Sequence, residues 1–197
     1  MIGLIVFGAA LLYLLISVVV VRWAIRYARR NGRSAKRWGW SAALVMYSLV
    51  FWDWLPTVAT HQFYCAKDSG FWVYKTLDQW KTENPGVMET LVANRGASST
   101  RQGDMENFTD TDFLNQRINN VLKKSGPYLF NRWRWEQEVV DSKTGEVLAR
   151  SVGFSTGNGN IGGEPPLRFW LQSDGCTGSS AANDSRFHAF RHQFLGR

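Results

Sequence analysis

A two-helix transmembrane hairpin followed by a small α+β extracytoplasmic domain with an antiparallel sheet is the fold class that three observations predict. Two apolar runs fill most of residues 1–60. The segment between them, Arg22 to Trp40, carries seven basic residues and no acidic one. Of the 23 basic residues, the other 16 all lie beyond Thr60, where 15 of the 16 acids also lie, so the outer part is nearly neutral and the formal charge of +7 resides in the segment between the runs.

The first run, residues 1–21, has no charged side chain. About 20 residues at ~1.5 Å rise each cross the ~30 Å hydrocarbon core. A cleaved signal peptide needs a basic leading region, a shorter apolar stretch and a small-residue cleavage site. The run has none of these and basic residues follow it, so transmembrane helix 1 is expected to stay in place with its N-terminus outside. Gly8 and Ala9 are small enough to let another helix approach and are candidate contacts for a membrane partner.

Residues 22–37 form a basic cytoplasmic loop in this reading. Arg22, Arg26, Arg29, Arg30, Arg33, Lys36 and Arg37 flank both runs, where Lys and Arg excess sets orientation, so the chain is expected N-out and C-out. Transmembrane helix 2 follows over 38–59, with Trp38 and Trp40 at one interface and Trp52 and Trp54 at the other. Pro56 ends or bends it. Asp53 is the one ionisable group in either run. It is either hydrated among the outer headgroups, or paired with the Met1 amine or a cation of another subunit, which makes it a third candidate partner contact.

The domain over 60–197 is expected to be α+β and built on an antiparallel sheet. A connector leads to a strand, FWVYK. Thr76 with Gln79 forms a capping box for a short helix that stops at Asn84, Pro85 and Gly86. Residues 94–110 are polar and predict a loop. Leu114, Ile118, Val121 and Leu122 recur at helical spacing and predict a helix over 111–124. In RWRWEQEVV, Trp133, Trp135, Gln137 and Val139 alternate with Arg132, Arg134, Glu136 and Glu138, which predicts a half-buried strand with a charged outer face. A turn through Gly145 returns EVLARSVGF as its partner. LRFWLQ, from Leu167, predicts a further strand. The tail carries Phe187, Phe190, Phe194 and Leu195 near one helical face.

The residues able to carry chemistry are sparse. His61, Cys65 and Asp68 have the spacing of ligands on one helix side, but Cys65 and Cys176 are the only two cysteines, and a non-cytoplasmic compartment oxidises such a pair to a disulfide. TGNGNIGG lacks the lysine ending and the helix of a phosphate loop, and prolines follow it. No GxSxG elbow occurs. His188 and His192 have no third ligand and are expected on the surface. Asn107 and Asn183 head glycosylation sequons that matter only in a glycosylating host. A pI of about 9.7 points to nucleic acid when basic residues spread over a domain; confined to a membrane-flanking cluster they do not.

The block FYCAKDSGFWVYKTLDQWKTENPG resembles bacterial envelope proteins, which implies the inner membrane and a periplasmic domain and carries no activity. The expected function is a membrane-anchored accessory or scaffold protein presenting an extracytoplasmic domain to a larger membrane assembly. Its partners would be membrane lipid and another membrane protein or further copies of the chain, with no cofactor and no catalytic or metal-binding residues. The alternative is an extracytoplasmic enzyme or small-ligand receptor whose site is assembled from residues distant in sequence.

Overall fold

The computed structural model describes residues 2–94, 96, 99–157, 171–173, 175, 176 and 180–196. Over them the chain forms five α-helices and a six-stranded antiparallel sheet. It divides into two units, Met1–Leu55 and Pro56–Arg197.

The first unit holds α1, Ile2–Arg30, and α2, Ala35–Phe51. Within α1, Phe7–Arg30 is long and apolar enough to cross a membrane, a test that a signal sequence also passes. The expected loop over 22–37 is mostly helix. Arg22, Arg26, Arg29 and Arg30 ride on the last turns of α1, where a basic side chain suits the negative end of the helix. Arg33 lies in the turn, and Lys36 and Arg37 open α2. The turn is short because α1 ends in a Schellman motif: Gly32, at φ +63°, takes the left-handed position, and Arg33 N–H donates to the Ala28 carbonyl at 2.8 Å.

The helices approach through small residues near this turn. Ala24 and Ala28 are buried, as is Gly39, where an added Cβ would lie 3.0 Å from Ile25 Cγ1. Tyr27 and Trp38 meet across the pair at 5.6 Å between centroids, and the Tyr13 hydroxyl donates to the Met46 carbonyl.

The single span expected over 38–59 is two helices. α2 stops at Phe51, and α3, Trp54–Asp68, begins beyond Asp53. Pro56 accounts for the break, because its ring excludes the carbonyl four residues earlier, that of Trp52, from a continuous helix, whereas proline is accommodated in a first turn. With 17 residues, α2 alone falls short of the roughly 20 that cross a bilayer. Where a connector is expected after Thr60, α3 continues to Asp68.

In the second unit the strands are β1 (Gly70–Val73), β2 (Ser99–Gly103), β3 (Phe108–Phe113), β4 (Ile118–Tyr128), β5 (Arg132–Asp141) and β6 (Glu146–Thr156). Their order is β1-β6-β5-β4-β3-β2, a meander from β2 to β6 with β1 added beside β6. The capping box at Thr76 forms, and α4, Leu77–Glu83, follows it. The loop expected over 94–110 contains the hairpin of β2 and β3, turned at Asp104, whose carboxylate accepts the Glu106 and Asn107 amides. The helix expected over 111–124 is strand instead, the end of β3 and most of β4.

The core lies on one sheet face. Ile118, Val139 and Ala149 are covered there by Trp80 of α4, by Phe187 and Phe190 of α5, Ser180–His192, and by Phe194 just beyond it. Phe71 of β1 meets Phe187 and Phe190 edge-on. His188 and His192 are exposed, as expected. The strand expected from Leu167 and the glycine-rich segment before it lie almost wholly outside the described residues.

Candidate functional site

The opposite sheet face is organised by the end of α3. Cys65, on its last turns, is joined to Cys176 by the expected disulfide, which closes a separation of 111 residues. Tyr64 and Cys65 pack on Val152, Phe154 and Cys176. His61, one turn earlier and 4% exposed, lies with Nε2 3.1 Å from the Gly175 carbonyl and 3.2 Å from Ser173 Oγ. The ring therefore pins the backbone beside Cys176.

His61, Cys65 and Cys176 have donor atoms within 4.8 Å of one another. Both sulfurs are spent in the disulfide, so neither is the thiolate a metal requires. Asp68 stands apart from this group and is exposed. The chemistry of the three residues is that of a clasp.

Beside the clasp lies a cavity of about 610 Å³ between α3 and the charged face of β5 and β6. The alternation of RWRWEQEVV holds: Trp133 and Val139 are buried toward the core, and Arg132 and Arg134 point into the cavity wall. Pairing of Glu138 with Arg150 and of Arg150 with Trp72 carries the charged face across to β6 and β1. Glu136 takes both Arg134, at 3.0 Å, and Arg150. Glu138 holds Lys123 at 2.7 Å and faces Arg150 Nε at 3.7 Å. Arg132 has no carboxylate partner among the described residues; its guanidinium lies over the Tyr64 ring at 3.3 Å and near Tyr128 at 5.5 Å.

The other residues singled out in the sequence fall elsewhere. All seven basic residues from Arg22 to Arg37 are exposed. Gly8 and Ala9 are exposed on α1, and an added Cβ at Gly8 would meet nothing within 4 Å. Asp53 is 4% exposed and engaged within the fold, so the expectation of a hydrated carboxylate is corrected. Met1 lies outside the described residues. Sequence reasoning treats the Arg132 face as solvated and passes over Tyr64, Lys67, Trp72, Tyr74, Tyr128 and Arg150. The available signal is the coincidence of arginines on one strand face with aromatic residues in FWVY and at Tyr128.

No protein-family model, curated protein or solved structure matches the chain.

Proposed function

We propose that the chain is a membrane-anchored accessory or scaffold protein that presents an extracytoplasmic domain to a larger membrane assembly. In this reading α1 and the stretch 38–59, which is α2 with the opening turn of α3, are an antiparallel transmembrane hairpin of the bacterial inner membrane, N-out and C-out, and the chain beyond it stands in the periplasm. The observation that carries it is the basic cluster: seven exposed cations, without an acid among them, on either side of the turn that joins the apolar α1 to α2. Such a cluster is retained on the cytoplasmic side. The disulfide fits an oxidising compartment for the domain. Lateral association would use the open small-residue face at Gly8 and Ala9; buried Asp53 has little surface to offer a partner.

Alkaline phosphatase fused after Arg197 is expected to be active and a fluorescent protein fused there dark. Replacing Gly8 and Ala9 by Leu should weaken co-purification with a membrane partner or a second copy and leave the domain folded. The reverse fusion pattern overturns the orientation, and undiminished association overturns the contact. A second reading, a small-ligand receptor, is favoured by the cavity beside α3, where polar groups converge.

A further inference from the structure

We propose that the cavity between the end of α3 and the charged face of β5 and β6 is a binding site for an organic phosphate, with Arg132 as its central cation and Lys67 at its edge. The inference concerns the second unit alone and stands whether the chain acts as scaffold or receptor.

Charge is the first ground. Lys67, Arg132, Arg134 and Arg150 line the cavity, and Asp68 is the one acid in its wall. The carboxylates on the same sheet face, Glu136 and Glu138, are shared among Arg134, Arg150 and Lys123. Arg132 and Lys67 are left with no ion pair among the described residues. Arg134 and Arg150 are already engaged by Glu136, whereas Arg132 has a buried Nε without an acceptor and no carboxylate among the described residues, which makes it the cation least satisfied by the chain's own oxygens. A carboxylate brings one charge and two oxygens. A phosphate brings up to two charges and three or more oxygens, which matches several guanidinium forks better.

Preorganisation is the second ground. The Arg132 plane is held against Tyr64, which itself packs on Phe154 at 5.7 Å and neighbours the disulfide. The cation is therefore fixed before any ligand arrives, and little side-chain entropy remains to be lost.

The third ground is the rim. Trp72, Tyr74 and Tyr128 are 42%, 57% and 45% exposed around this one opening. Exposed aromatic faces beside an anion site suit a ligand with a ring or apolar body. The volume falls in the range of sites for small organic molecules. A soluble phosphate ester and the headgroup of an anionic lipid share this chemistry.

The test uses the full chain in non-ionic detergent and isothermal titration with four probes: phenyl phosphate, benzoate, dihexanoyl phosphatidylglycerol and dihexanoyl phosphatidylcholine. Saturable binding of phenyl phosphate, weakening with salt and about tenfold or more weaker in Arg132→Gln, supports a soluble ester. Binding of the phosphatidylglycerol probe alone, with the same loss, supports a lipid headgroup. Equal affinity for benzoate overturns the preference for phosphate, and preference for the phosphatidylcholine probe overturns the anion site. Absence of saturable binding at millimolar probe, or binding unchanged by Arg132→Gln, also overturns the proposal. Thermal melting checks the fold of each variant. If Arg132→Gln does not fold, Lys67→Gln, on the exposed side of α3, decides: a several-fold loss supports the site, and unchanged affinity overturns it.

Discussion

Asp141 shows how one buried charge orders its surroundings. It is 1% exposed, accepts from Trp80 Nε1 at 2.9 Å and from Arg117 Nε at 2.9 and 3.0 Å, and receives the Lys143 amide. Burial pushes its pKa upward, yet the bonds from Arg117, Trp80 and Lys143 outweigh burial and hold it below the ordinary 3.8. A carboxylate depressed in the folded state stabilises the fold above its unfolded pKa. That contribution is lost as pH falls below 3.8 through the lower folded value. Asp141→Asn leaves the half-buried Arg117 without its carboxylate and should cost about 2 kcal/mol, measured as a lower urea midpoint at neutral pH. The variant should also lose less stability than the wild type on acidification. Equal acid sensitivity of the two proteins would count against this account. Lys124 is the opposite case. It is buried among Trp133, Trp135 and Phe108, with Nζ 4.2 Å from the Trp133 centroid, and burial lowers its pKa.

Lys124 also explains what was hard to read at the level of elements. The inward positions of β4 include Ile118, Asn120 and Lys124, all buried. Two of these are polar, so the period of two was masked, while Leu114, Ile118, Val121 and Leu122 happened to share a helical spacing. Cross-strand pairing then prevailed over that local pattern. The β5–β6 hairpin was legible because Arg132, Arg134, Glu136 and Glu138 mark every second position of β5 as charged and the turn carries Gly145. The capping box at Thr76 was legible because it is written in two residues three apart. Half of the candidate site was also legible, since the alternation in β5 put its arginines on one face. The other half was not, because Tyr64 and Lys67 reach that face only through the unforeseen length of α3. Gly39 gives the corresponding test in the first unit. Gly39→Ile places a Cβ 3.0 Å from Ile25 Cγ1 and a branched side chain beyond it, where close approach leaves no room. The expected result is slower disulfide trapping between cysteines placed at Tyr13 and Met46. Ala at the same position should have a much smaller effect. Trapping as fast in Gly39→Ile as in the parent would mean that the small-residue contact does not set the helix approach.

At the scale of the whole chain, orientation and oxidation are coupled in the proposed topology. The seven cations from Arg22 to Arg37 are the only strong charge asymmetry, since the second unit is nearly neutral. If they hold the turn in the cytoplasm, they also deliver Cys65 and Cys176 to an oxidising compartment. Neutralising Arg26, Arg29, Arg30 and Arg33 together to Gln should leave a mixture of orientations. In the inverted fraction the cysteines face a reducing cytosol, and the closure of 111 residues, worth about 4 to 5 kcal/mol in the chain-entropy model, is lost. Alkylation of intact cells under non-reducing conditions, read by mass shift, should therefore find free thiols in the neutralised protein and a disulfide in the parent. The thiol fraction should equal the fraction inverted by the fusion reporter after Arg197. A neutralised protein that inverts yet keeps its disulfide would uncouple the two and point to oxidation independent of compartment. One that neither inverts nor loses the disulfide would show that the basic cluster does not set the topology.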